Sequence, residues 1–370
     1  MRLLQKECGK CLRHPFLWIV CITFGLFQFL SIYTYVGNAG MRKELRQMHV
    51  AVTDEETASP EYESAYADYK KTYGGMYDTL DMRKILEQKE KKSGYEPQGV
   101  WGMWIVRNYD RLQKRVEQIR KTGEGTYAFY PGSWYKLHST LYGKLWKKLI
   151  LQTAVLMILS MLYLMDYERI YKTQDLVLAT TTGKKMMEKK MLAGTLCGLF
   201  YAGLLTVFTL LVFFAAVPFQ NLWHVPVAAC MVAEPRLQMM YPFVTFWWLE
   251  QWRYLLLALM VLVGLLGIVA AVTAAVQLFL QNSYFSFAVL GLSFYGGIIC
   301  LPMCRWEIVW DLIRELFNPT VLYATSGGWF MENDLCLSFA GNEFAVLFCS
   351  GTAAVCLMAV GKRRYHRLEV

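Results

Sequence analysis

Six long apolar runs without internal charge punctuate the chain, at residues 15–36, 149–165, 191–217, 254–280, 284–304 and 344–361. A bilayer core of about 30 Å calls for about 20 mostly apolar helical residues, so each run predicts a membrane-spanning helix. Only Gln281, Asn282 and Ser283 separate the fourth run from the fifth, which predicts a tight helical hairpin. Between the runs the pattern changes to the amphipathic kind. Met41, Leu45 and Met48 recur at helical spacing, as do Leu112, Val116 and Ile119, so the segment 37–148 is expected to carry at least two amphipathic helices. The stretch TASPEYESAYADYKKTYGG between them reads as loop and turn, and TYAFYPGSWYKLHSTLYGKLWKKL mixes aromatics with Lys as an interface segment does. In RWEIVWDLIRELFNPT, Trp306, Val309, Ile313 and Leu316 share one face away from Glu307, Asp311, Arg314 and Glu315. Asn318 and Pro319 then stop what reads as an amphipathic or re-entrant helix.

The expected fold class is therefore an all-α polytopic membrane protein. It has six transmembrane helices, cytoplasmic N and C termini, and a large helical extracellular insertion after span one. The first fourteen residues form a basic tail, read equally as an interfacial helix or an irregular flank. The segments 37–148, 218–253 and 305–343 lie outside; 166–190 and 362–370 lie inside. Composition supports a membrane protein, since 55% of residues are hydrophobic, 15% aromatic and only 18% charged. Orientation follows from cations, which are retained on the cytoplasmic side of short loops. Arg2, Lys6, Lys10 and Arg13 precede span one; Lys362, Arg363, Arg364 and Arg367 follow span six; Arg169, Lys172, Lys184, Lys185, Lys189 and Lys190 sit between spans two and three. The loops 218–253 and 305–343 hold only Arg236, Arg253, Arg305 and Arg314. The long basic segment 37–148 escapes the rule, which weakens beyond about 60 residues. A cleaved leader competes for residues 15–36, but the run exceeds the usual h-region of about 7 to 15 residues, so a retained span is expected.

Candidate chemistry is sparse. TTTGKK lacks the Gly and the Ser or Thr that a phosphate-binding loop requires: Leu178 and Lys185 stand there. Gly123, Gly125 and Ala128 mimic a dinucleotide fingerprint with no strand before them, and a turn is expected. His14, His49, His138, His224 and His366 are scattered, without a metalloprotease spacing. Cys8 and Cys11 make a lone CxxC, read as reduced thiols; Cys230 and Cys336 lie in separate outer loops where pairing stays open. No convergent catalytic groups and no nucleic-acid signature emerge, so neither an enzyme nor a bound metal or cofactor is expected. The spans carry neutral polar groups alone, among them Gln152, Thr153, Thr195, Thr273, Gln277, Ser293, Ser350 and Thr352. Ion-coupled carriers hold ionisable groups there, so any transport is expected to draw its energy from another subunit. Small residues recur at Gly194, Gly198 and Ala202 and again at Gly267, Ala271 and Ala275, a spacing that lets helix backbones approach.

The loop DYERIYKTQDLVLATTTGKKMMEKK, residues 166–190, is the most informative stretch. It has an acidic start at Asp166 and Glu168, an apolar knob at Leu176, Val177 and Leu178, and a basic end from Lys184 to Lys190. A helix beginning near Thr182 and Gly183 is expected to run on into span three. Topology alone accounts for the lysines and leaves the knob unexplained; a docking surface for a soluble partner accounts for both.

Glu168, Arg169, Thr173, Asp175, Leu176, Val177, Leu178, Thr180, Gly183 and Lys190, set between spans two and three of six, resemble the coupling loop of ABC-2 type transporter permeases. The resemblance implies a coupling element seated in a separately encoded ABC ATPase, with Glu168, Arg169, Asp175, Leu176, Val177, Leu178, Lys184 and Lys185 as its contact residues. It further implies an outer re-entrant element at 305–320, ATP bound by the partner, a second permease copy, and a place in a bacterial cell membrane. The chain departs from the pattern in lacking a Gly after the acidic start and in its enlarged outer insertion. The expected activity is export of an amphipathic, peptide-like or lipid-like cargo. The alternative is a membrane-anchored sensor or scaffold that binds envelope ligands through residues 37–148.

Overall fold

The computed structural model describes residues 2–37, 64, 67, 71, 75–93, 99–126, 137–173, 183–217, 219, 222–231, 244–303, 308–332 and 339–368. The expected helix around Met41, Leu45 and Met48, together with Trp306 and Cys336, lies outside the described residues. Six helices are long and apolar enough to cross a membrane, as an all-α polytopic membrane protein requires: Pro15–Val36, Ser139–Met165, Met186–Ala216, Gln251–Leu280, Ser283–Leu301 and Asn342–Tyr365. Among the described residues β structure is limited to two isolated bridges, Pro226 with Glu250 and Thr245 with Met331.

In chain order the helices are α1 (Arg2–Leu12), α2 (Pro15–Val36), α3 (Met82–Ser93), α4 (Gly99–Thr122) and α5 (Trp146–Met165). There follow α6 (Tyr167–Ile170), α7 (Gly183–Ala216), α8 (Val227–Met231), α9 (Gln251–Leu280), α10 (Ser283–Met303), α11 (Ile308–Phe317), α12 (Thr320–Ala324) and α13 (Asn342–Leu368). Local chemistry explains several boundaries. Pro15 opens α2, where its missing N–H costs nothing. Gln281 ends α9 in the left-handed region, and Asn282 Oδ1 then accepts from the backbone N–H of Tyr284 and Phe285 at 3.1 and 3.2 Å, capping α10. The expected three-residue hairpin is built this way.

The apolar helices extend past the runs read from sequence. Span two begins at Ser139 rather than Leu149, through a π-helical segment, Ser139–Leu145, that buries Leu141, Tyr142 and Leu145. Its lysines are accommodated sideways: Lys148 donates to Ser31 Oγ at 3.0 Å and lies over the Phe27 and Tyr35 rings, and Lys144 also lies over Tyr35. Spans three and six likewise take in Lys190 and Glu343. The inference that the spans are free of ionisable groups therefore holds for their middles and not for their ends.

The main core joins α5 closely with α7 and α9 closely with α13, with α2 and α1 laid against α7. Gly194 and Gly198 make the first pair possible: a Cβ at either would come within 3.1 Å of the Cα of Met161 or Met157. Gly267 is different, because a Cβ there meets nothing within 4 Å; Gly264, under Leu347, is the glycine that α9 presents to α13. Ala275 and Ala202 are buried, Ala271 half-buried. We expect Gly198→Val to cost about 1–3 kcal/mol through overpacking and Gly267→Ala to be neutral or slightly stabilising, checked by thermal unfolding of the two purified variants. About midway along both helices, Gln28 Nε2 donates to Gln152 Oε1 at 2.8 Å, a buried hydrogen bond that links α2 to α5.

On the face opposite the termini a second core forms. Leu112, Val116 and Ile119 of α4 pack with Met82 and Ile85 of α3 as their spacing predicts, but Ala228 and Val244 from the loop after span three complete the cluster. Tyr77 Oη donates to the Ala228 carbonyl at 3.2 Å. The α3–α4 hairpin is thus one part of a composite built from several loops on that face, not an independent unit.

Candidate functional site

The terminal face, where the loop between spans two and three emerges, concentrates charge in a buried junction. Helix α5 ends at Met165; Asp166 leaves helical geometry and accepts from Ser283 Oγ at 2.8 Å, tying the α9–α10 turn to the loop. One short turn, α6, follows and places Glu168 inward. Glu168 is 7% exposed and pairs with Lys190 of α7 and, at 3.4 Å, with Lys10 of α1. Lys10 also bonds Glu7 at 2.6 Å and sits 4.4 Å above the Tyr167 ring. Lys172, at φ 55°, turns the chain so that the Thr173 N–H reaches the Glu168 carbonyl at 2.8 Å. Four charged side chains from α1, α6 and α7 thereby neutralise one another where water is scarce.

Helix α1 completes the junction. Cys11 is fully buried, Tyr201 Oη donates to its carbonyl at 3.4 Å, and the Cys197 thiol approaches the Cys8 carbonyl at 3.8 Å. Burial pushes the Cys8 thiol up to about 11, so it stays protonated at neutral pH. The CxxC thus packs α1 as a pair of thiols, and among the described residues no group of three or more His, Cys, Asp or Glu is arranged to hold a metal. His14 stacks on Tyr163 at 4.2 Å, and Tyr163, Tyr167 and Tyr171 form an aromatic ladder at 5.7 and 4.5 Å. Residues 2–12 thus form a helix docked on α7.

The residues read as coupling contacts divide. Glu168 is buried and satisfied within the chain, whereas Arg169 is exposed. Lys184 and Lys185 stand in the first turn of α7, which continues into span three as expected. Asp175, Leu176, Val177 and Leu178 lie outside the described residues. Lys362 of α13 reaches Glu188 of α7 at 3.3 Å, so the same end of α7 also touches the last helix.

Comparison with family models, with curated proteins and with solved structures returned no match. The geometry alone carries the functional reading.

On the opposite face several polar groups are buried, which the sequence analysis did not anticipate. His138, just before span two, is fully enclosed by Tyr142, Tyr254 and Phe219; burial pushes it down to about 3, opposed by the Gln251 side chain and the Gly327 backbone, so it is neutral. Glu343, Glu315 and Glu332 are buried as well. Glu343 directly precedes an apolar run, and Glu315 reads from sequence as part of the polar side of its helix, where Asp311 and Glu315 are in fact buried while Ile313 is exposed.

Proposed function

We propose that this chain is the membrane subunit of an ABC-type exporter, with the terminal face cytoplasmic and the loop 166–190 as its coupling element. One observation carries the reading: Glu168 fastens the loop's first turn to both α1 and α7 through Lys10 and Lys190. The loop leaves α5 and re-enters as α7, and those two helices form a closely packed pair within the membrane. A force applied at the knob Leu176, Val177 and Leu178 therefore acts on spans two and three together. The residues assigned to the ATPase contact are Leu176, Val177, Leu178, the exposed Arg169, and Lys184 and Lys185 at the start of α7; Glu168 holds the loop's first turn to α1 and α7. Two copies of the chain would enclose the path of an amphipathic, peptide-like or lipid-like cargo in a bacterial cell membrane, with ATP bound by the partner subunits.

The test is purification of the tagged chain in mild detergent with mass spectrometry of whatever accompanies it in fixed ratio. Wild type is expected to bring an ABC ATPase, and a variant with Leu176, Val177 and Leu178 all changed to Ser is expected to lose it by tenfold or more while remaining folded. A wild-type chain that arrives without an ATPase counts against the proposal. An envelope component in its place would favour the sensor or scaffold.

A further inference from the structure

At the end of span two away from the termini, a pair of lysines shares one aromatic ring. Lys148 Nζ lies 4.9 Å from the centroid of Tyr35 on α2 and Lys144 Nζ lies 5.1 Å from the same centroid. Lys148 also donates to Ser31 Oγ at 3.0 Å and lies 5.1 Å from the centroid of Phe27. Lys147 follows on the same turn of helix and is half-buried. Neither α2 nor the helix from Ser139 to Met165 contains an Asp or Glu, and among the described residues none of the three lysines has an acidic partner. Other cations in sheltered positions do: Lys190 has Glu168, Arg115 has Glu124 and Arg314 has Asp311.

Ring faces and one hydroxyl hold ammonium groups in place without cancelling their charge, and two cations on one ring repel where water is scarce. An anion set between them would neutralise both. The surroundings say what else that anion carries. Ser31 stands five residues before Val36, the last residue of α2, about 7 Å along the helix, so the Lys148 amine is held within the span rather than extended past its end. One turn further in, Phe27 on α2 and Leu151 on α5 are exposed, as side chains facing acyl chains are. From the helix ends inward the order is thus basic and aromatic, then hydroxyl, then apolar, which matches a phospholipid from phosphate to ester to acyl chain.

We propose that Lys144 and Lys148, with Lys147 beside them, bind an anionic phospholipid of the leaflet away from the termini. Its phosphate lies between the two ammonium groups and its chains descend along Phe27 and Leu151. A free phosphate would satisfy the amines and leave this apolar floor without a partner. Seated there, the lipid links α2 to α5 nearer their ends than the hydrogen bond between Gln28 and Gln152. Neither the site nor its test depends on what the protein transports.

Full-length protein in mild detergent, stripped of lipid, is titrated with phosphatidylglycerol, phosphatidylcholine or inorganic phosphate, with native mass spectrometry reading bound lipid and thermal unfolding reading stabilisation. The first phosphatidylglycerol is expected to bind at least about tenfold more tightly than phosphatidylcholine and to raise the midpoint, while inorganic phosphate at the same concentrations does not. Changing both Lys144→Gln and Lys148→Gln should weaken phosphatidylglycerol binding by about tenfold or more, whereas Lys144→Arg with Lys148→Arg should keep it within about threefold. Arg363→Gln, exposed on the terminal face, should leave it unchanged. Equal binding of the two lipids overturns the proposal, as does wild-type affinity in the double glutamine variant. A midpoint shift by inorganic phosphate that matches the lipid's overturns it too, because the site would then serve a free anion. Should the double glutamine variant not fold, Lys144→Gln alone, at the exposed member of the pair, decides by the same comparison with an expected loss of about fivefold.

Discussion

Glu168→Gln is expected to lower the stability of the terminal-face junction by about 3–5 kcal/mol, the cost of breaking a buried ion pair and leaving its cation unmatched. Lys190 is 3% exposed and Glu168 7%, so solvent can do little for the stranded ammonium. Arg169→Gln, one residue on and exposed, should change stability by less than about 0.5 kcal/mol. Thermal unfolding of the two variants in one detergent makes the comparison. Adding Lys190→Met to Glu168→Gln should recover much of the loss, since it removes the charge that the first change orphans. If Glu168→Gln and Arg169→Gln unfold together with wild type, the buried junction is not what holds α6 to α7. If instead Glu168→Gln alone is destabilised, Glu168 is the residue that holds the loop's first turn, whereas Arg169 belongs to its exposed side.

Removing Arg115 is expected to have a comparable effect on the other face. Its guanidinium forks onto Glu124 at 2.5 and 2.8 Å and also donates to the Thr245 carbonyl at 3.1 Å, all within a buried site. Arg115→Met should loosen the α3–α4 hairpin from the loop after span three at a cost of about 3–5 kcal/mol, because a fully buried carboxyl loses its only forked partner. Burial already pushes Glu124 above its ordinary value, opposed by Arg115. A carboxyl so raised contributes stability that is complete below its unfolded value and declines as pH rises, and losing the cation should steepen that decline. Limited proteolysis at two pH values reads this: Arg115→Met should be cut within residues 82–122 faster than wild type, and more so at the higher pH. Equal cutting would mean that the apolar cluster alone secures the hairpin.

Much of this architecture is legible locally. Leu112, Val116 and Ile119 announce a buried helix face, and Gln281 with Asn282 announces a turn and a cap, because each signal involves residues within a few positions of one another. The loop 166–190 is legible as an element for the same reason. What could not be read is which of its charges face inward. Glu168 and Arg169 are neighbours with equal claim to a docking role, and they separate only because Lys10, 158 positions away, and Lys190 close over one of them. Gly267 and Gly198 are likewise indistinguishable as small residues in an apolar helix; Met157 lies against one and no side chain reaches the other.

The sequence by itself determined that the chain is built on six apolar helices, because the length needed to cross a bilayer and the need to satisfy every backbone polar group inside it act on contiguous residues. It also marked the turn between the fourth and fifth of them, at Gln281 and Asn282. Only the tertiary structure decided how the polar residues are spent: Lys10 and Lys190 on Glu168, Arg115 on Glu124, and Glu343 on the Phe330 N–H. Charge neutralisation and burial are properties of neighbourhoods assembled from distant segments, and no period along the chain encodes them.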